Sequence, residues 1–204
     1  MDDTNYMDLW EQRMNRDTLS EEEQLRILRS LGIVIPEDAA QECNTEDEFT
    51  SVLAAIGWGD YDYDKRLWTP SSQQIYAFDA EVFDIEAMYP NYLKGLQAIS
   101  KEELSFTNIV QDNSKVHWED PSGTVSVRFQ INGMDCSYDA DFQGDWLDCR
   151  ILAVVNHCLE KLGVDKRFYS TDIDQRVIIF FCTEQWARQF ERATLCFMSS
   201  SGTH

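Results

Sequence analysis

The strongest constraint on the fold is a run of strict alternation centred on Asn132-Gly133, flanked by Thr124–Ile131 on one side and Met134–Asp141 on the other. Asn-Gly is the preferred pair for a two-residue type I′ turn, and alternation with period two marks a strand with one buried face. The register follows directly: Ile131 opposite Met134, Phe129 opposite Cys136, Val127 opposite Tyr138 and Val125 opposite Ala140. All eight share one apolar face. Thr124, Ser126, Arg128, Gln130, Asp135, Ser137, Asp139 and Asp141 share the other and meet water.

An apolar face of that length needs a cover. The next segment, from about Asp145 to Leu162, places Trp146, Leu147, Ile151, Val154, Val155, Cys158, Leu159 and Leu162 on one helical face and ends at Gly163. Residues 167–171 and 176–182 read as another strand pair, and the run Val177-Ile178-Ile179-Phe180-Phe181-Cys182 suits a strand buried on both faces. Thr183 is placed to cap a final helix that runs through Leu195. Upstream, Gln74–Phe78 and Leu104–Val110 are weaker strand candidates flanking a helix around 84–99, in which Pro90 must occupy the first turn or break it. These elements predict an α+β fold, a mostly antiparallel sheet with packed helices.

The N-terminal part reads differently. Residues 1–64 carry 17 acidic and 4 basic side chains, a net of −13 out of the −20 for the whole chain. Ser20-Glu21-Glu22-Glu23 is a capping box that opens a helix ending at Gly32, and Thr45-Glu46-Asp47-Glu48 repeats the pattern ahead of Gly57. The two stretches align without a gap, as two copies of a repeat or as two helices with the same grammar. A further helix is expected near 4–16. Residues 58–72 have no helical period and end in Pro70 and two serines. The resulting division is an acidic helical region at 1–58, a joint at 59–72, a sheet domain at 73–198 and a disordered tail at 199–204.

A charge of −20 on 204 residues repels polyanions and anionic membrane surfaces and accelerates encounter with basic ones. Direct nucleic-acid binding and membrane association are therefore not expected, and a basic protein surface is. The start MDDTNYMDLW has no secretory pattern, no stretch reaches the roughly 18 apolar residues of a spanning helix, and the six cysteines form no CxxC pair. A cytoplasmic protein with reduced thiols, without metal or cofactor, is the expectation.

Signatures of catalysis are sparse. His117, His157 and His204 are the three histidines, and GxSxG, P-loop and GxGxxG motifs are absent. His157 adjoins Cys158, but neighbours on a helix point about 100° apart and cannot form a nucleophile–base pair. Asp139-Ala-Asp141-Phe-Gln143-Gly144 copies half of a calcium loop, yet Arg150 stands where the closing Glu belongs. Asp60-Tyr-Asp62-Tyr-Asp64 has ligand spacing but places Lys65 at the required glycine. No catalytic or metal-binding residue is assigned.

Binding has better material. In Trp58-Gly-Asp60-Tyr61-Asp62-Tyr63-Asp64-Lys-Arg-Leu-Trp68, aromatics alternate with carboxylates, so an extended chain shows tyrosines on one side and aspartates on the other. Trp and Tyr are enriched at binding hot spots, and carboxylates accept Arg or Lys. An edge strand with inward tyrosines and solvated aspartates has the same pattern. The acidic helix starts Glu21, Glu22, Glu46 and Asp47 are candidate partner contacts as well as dipole caps. As a class, an acid-rich α+β chain without catalytic motifs resembles the bacterial immunity and inhibitor proteins that neutralise basic enzymes. That resemblance implies a non-catalytic module docking a basic partner; a nucleic-acid mimic, or an enzyme using carboxylates or His117 in an interdomain cleft, are the alternatives.

Overall fold

In the computed structural model, which describes residues 3–173 and 175–202, four helices come first: α1 (Asp3–Asn15), α2 (Glu21–Ser30), α3 (Glu37–Gln41) and α4 (Thr50–Gly57). A short hairpin of β1 (Asp60–Asp62) and β2 (Leu67–Thr69) leads into β3 (Ile75–Asp79), a 3-10 turn at Ile85–Ala87, and α5 (Met88–Ile99). β4 (Phe106–His117), β5 (Ser122–Ile131) and β6 (Met134–Asp141) form a meander. Then come α6 (Ile151–Lys161), β7 (Arg167–Ile173), β8 (Arg176–Cys182) and α7 (Glu184–Thr194). The strands pair antiparallel in three sheets, β1-β2, β3-β8-β7 and β4-β5-β6. The fold is α+β.

The hairpin β5–β6 has the register read from the sequence, with Ile131 opposite Met134 and Val125 opposite Ala140. Asn132 and Gly133 both take positive φ, 49° and 82°, as a type I′ turn requires. Val125, Val127, Phe129 and Ile131 are buried. β4 runs seven residues past Val110, because register shifts at Thr107/Val110 and Asp112/Lys115 break the period by which a strand is recognised.

β8 lies between β3 and β7, so both its faces are covered. Val177 and Ile179, with Tyr76 and Phe78 of β3, face a core shared with α5, α6 and the meander. Ile178 and Phe180, with Ile75 and Ala77, face a second core that contains Leu28, Phe49, Val52, Leu53 and Phe190. The acidic helices and the sheet thus share one hydrophobic core across residue 58. Pro90 sits in the first turn of α5, where its missing N–H leaves no bond unmade.

Four expectations are corrected. The helix expected from Asp145 starts at Ile151, because residues 145–147 bond instead to the segment after β3: Val82 N–H to the Asp145 carbonyl at 2.7 Å and Leu147 N–H to the Ala80 carbonyl at 2.9 Å. The box at Thr45–Glu48 does not form. Asn44 Oδ1 accepts the amides of Glu46 (3.0 Å) and Asp47 (2.8 Å), and the buried Glu48 carboxylate turns inward to Arg16. Ser20 does form its box with Glu23, so the aligned glutamates perform different tasks. Residues 59–72 form an ordered hairpin, with Trp68 N–H bonded to Asn91 Oδ1 of α5 at 2.9 Å. The tail is docked as far as it is described: Ser199 and Ser170 exchange backbone bonds of 2.7 and 2.8 Å. His204 lies outside the described residues.

Candidate functional site

The aromatic-acidic segment starts beside β3, an edge strand of the sheet β3-β8-β7, where Trp58 bridges to Ala77. In the hairpin Tyr61 stands opposite Trp68. Its turn is set by Asp62, whose carboxylate accepts the amides of Asp64 (3.1 Å) and Lys65 (3.0 Å) and the Lys65 ammonium (2.6 Å). Asp62 is therefore committed to the turn. Arg66 reaches back to Asp84 through two hydrogen bonds and to Glu86 at 3.0 Å, and the Tyr61 hydroxyl also donates to Asp84. These contacts fasten the hairpin to the stretch between β3 and α5.

That fastening leaves a pocket of about 280 Å³ between hairpin, β3 and α5, at the small end of ligand cavities. Its floor is buried: Tyr76, Phe78, Met88, Tyr92 and Leu147. Trp58 and Phe83 stand at the mouth, 39% and 63% exposed, with Asp79 and Glu81 beside them. Trp58 meets Trp68 edge-on at 5.6 Å between ring centres, and Tyr61 meets Phe83 edge-on at 4.5 Å, so the rings brace one another.

Charge is arranged unevenly across this site. The Asp84 carboxyl is held below its usual range, chiefly by hydrogen bonds from Arg66, with Tyr61 adding to the effect against the opposing influence of burial. Burial and the bond to Asp84 push the Tyr61 phenol up to about 12. Asp79 and Glu81 make no ion pair among the described residues. Asp79 accepts the Glu81 amide at 2.9 Å, and Glu81 accepts the Gln175 side chain at 3.0 Å. Two polar atoms of residues around the pocket, the Trp68 indole nitrogen and the Tyr92 hydroxyl, are fully buried and make no hydrogen bond among the described residues. Burial holds the Tyr92 phenol well above its ordinary pKa, so it keeps its proton and remains a donor.

Trp58, Tyr61 and Trp68, singled out from the sequence, line this pocket together. Asp60, Tyr63 and Asp64 are exposed on the same hairpin, and Tyr63 lies 5.0 Å from Tyr61, so the two tyrosines do share a side. Glu21, Glu22, Glu46 and Asp47 are exposed and line no part of it. Tyr92, Phe83, Asp79 and Glu81 had no local signal in the sequence; they come from β3, α5 and the stretch joining them. His117 is exposed at the end of β4, and the His157 ring lies 3.7 Å from the exposed Glu160 carboxylate. In the calcium-like stretch Asp139 accepts the Ser126 hydroxyl at 2.7 Å, and Asp141 pairs with Arg150 at 2.7 Å, the residue at the closing position.

The fold and the pocket define an acidic α+β protein with an aromatic-walled cavity that carries carboxylates at its mouth. Comparisons with protein families, with curated proteins and with solved structures found no match.

Proposed function

We propose that the protein is a non-catalytic binding module that docks a basic protein surface on the β1–β2 hairpin and the pocket beside it, in the manner of an inhibitor or immunity protein. The observation that carries this reading is the convergence of Trp58, Tyr61 and Trp68 on one cavity, with Asp79 and Glu81 at its mouth making no ion pair among the described residues. Aromatic anchors in a desolvated centre with charged groups at the rim are the arrangement in which a few residues supply most of an interface's affinity. The −20 charge supplies steering toward a cationic surface. Five of the six cysteines are buried, as small core residues are, which suits work in the reducing cytoplasm.

The test uses short Lys- and Arg-rich peptides, titrated against the intact protein with tryptophan fluorescence as the readout. Binding should weaken steeply as salt rises, and Asp79→Asn with Glu81→Gln should lower the salt dependence. Trp58→Ala should cost about tenfold or more in affinity. Peptide binding indifferent to salt and to these three substitutions overturns the reading.

A further inference from the structure

The negative field draws cations to the pocket, and the pocket wall decides which kind of cation fits. Seven aromatic side chains and three carboxylates line it, and no Lys, Arg or His does among the described residues. The acceptors set into the wall are engaged: Asp84 by Arg66 and Tyr61, and Asn91 Oδ1 by the Trp68 amide at 2.9 Å. A lysine ammonium brings three N–H donors and an arginine guanidinium five, so either would give up its hydration for walls that offer aromatic rings and few acceptors. The face of an aromatic ring attracts positive charge itself. Shape narrows the choice further. Trp58 meets Trp68 at 83° and Tyr61 meets Phe83 at 79°, while Tyr61 and Trp68 are inclined at 46° with ring centres 6.2 Å apart. Rings set at such angles suit a rounded group, whereas a planar guanidinium prefers to stack on a single face.

Resting on the docking reading above for the choice of site, we infer that the pocket seats a methylated ammonium, carried either by a trimethyl-lysine side chain of the partner or by a small quaternary ammonium molecule. Methylation exchanges each N–H that would need an acceptor for apolar surface and keeps the positive charge. The rings then meet a rounded, weakly hydrated cation. Asp79 and Glu81, which line the mouth and make no ion pair among the described residues, oppose its charge from the rim. Trp58 and Phe83 are exposed there, so both rings are within reach of an entering group.

The experiment compares peptides of one Lys- and Arg-rich frame that differ only at the central residue: trimethyl-lysine, lysine, arginine, or the uncharged analogue in which carbon replaces the quaternary nitrogen. Choline and its uncharged carbon isostere are titrated in parallel, against the intact protein and against Phe83→Leu and Trp58→Leu. Trimethyl-lysine should bind about tenfold tighter than lysine, arginine or the carbon analogue. Each variant keeps an apolar side chain and loses a ring, so each should cut the preference for the cation over its carbon analogue by about threefold or more. Both side chains are exposed, so the melting temperatures should stay near that of the parent, which separates lost recognition from lost folding. A preference shown by the peptide and not by choline places the head on a partner chain and upholds both readings. A preference shown by choline, with no peptide binding, places it on a small molecule and upholds the inference against the docking reading. Salt-sensitive peptide binding in which lysine or the carbon analogue matches trimethyl-lysine, or a preference that survives both variants, overturns the inference and leaves the docking reading standing. Failure of every peptide and of choline to bind overturns both.

Discussion

Asp148 binds three parts of the chain together just ahead of α6. Its carboxylate accepts from the Tyr138 hydroxyl of β6 at 2.6 Å and from the Arg150 guanidinium at 2.7 Å, while its own amide donates to the Tyr89 hydroxyl of α5 at 3.3 Å. Burial by itself would raise the pKa of this carboxyl, but the bonds from Arg150 and Tyr138 outweigh it and hold the group below its usual value. A carboxylate depressed in the folded state contributes stability that is present above the unfolded value, about 3.9, and lost as pH falls through the lower folded value. Asp148→Asn should therefore cost roughly 1.5–3 kcal/mol at pH 7, the worth of a hydrogen bond to a charged group. Parent and variant should converge as the pH drops through the acid range. Urea denaturation as a function of pH measures both; a constant gap down to the most acid point would show that Asp148 acts by packing rather than by charge.

At the scale of elements, α5 carries the pocket floor, and Gly95 sets how closely it approaches β3. A Cβ at Gly95 would come within 2.3 Å of the Tyr76 ring, which stacks on Phe78 at 4.9 Å and lies 6.4 Å from Tyr92. Alanine is worth about 1 kcal/mol more than glycine inside a helix. Overpacking against a ring held on two sides costs about 1–3 kcal/mol, so Gly95→Ala should lower the melting temperature despite the better helix former, and weaken peptide binding by tilting the floor. A variant that melts higher would mean that α5 can slide off the sheet without loss. The same elements show what was readable in advance. β5, β6 and β8 announce themselves by alternation, an Asn-Gly turn and an unbroken apolar run, all encoded within a few residues. α4 and α6 start later than the local pattern implies, because Glu48 of the expected box is taken by Arg16 and residues 145–147 bond to the segment after β3. Three residues of the pocket wall, Trp58, Tyr61 and Trp68, were legible in the alternation from Trp58 to Trp68. Most of the wall comes from β3, α5 and the stretch between them, whose approach is a tertiary fact with no local pattern.

Over the whole molecule, the −20 charge acts on the fold and on binding with opposite signs. Like charges repel within the folded chain, and residues 1–64, with 17 acidic against 4 basic side chains, concentrate that repulsion on helices whose inner faces must pack against β3 and β8. Screening relieves it. Raising salt from about 10 mM to 0.3 M shortens the Debye length from roughly 30 Å to below 8 Å, so the melting temperature should rise by a few degrees. Over the same range the affinity for basic peptides should fall, because screening also removes the steering field. Opposite slopes in one titration tie both effects to one cause. A melting temperature that falls with salt would mean instead that ion pairs such as Arg16–Glu48, Arg66–Asp84 and Arg150–Asp148 outweigh the net repulsion, leaving the acidity of the first third as a burden that only a cationic partner relieves.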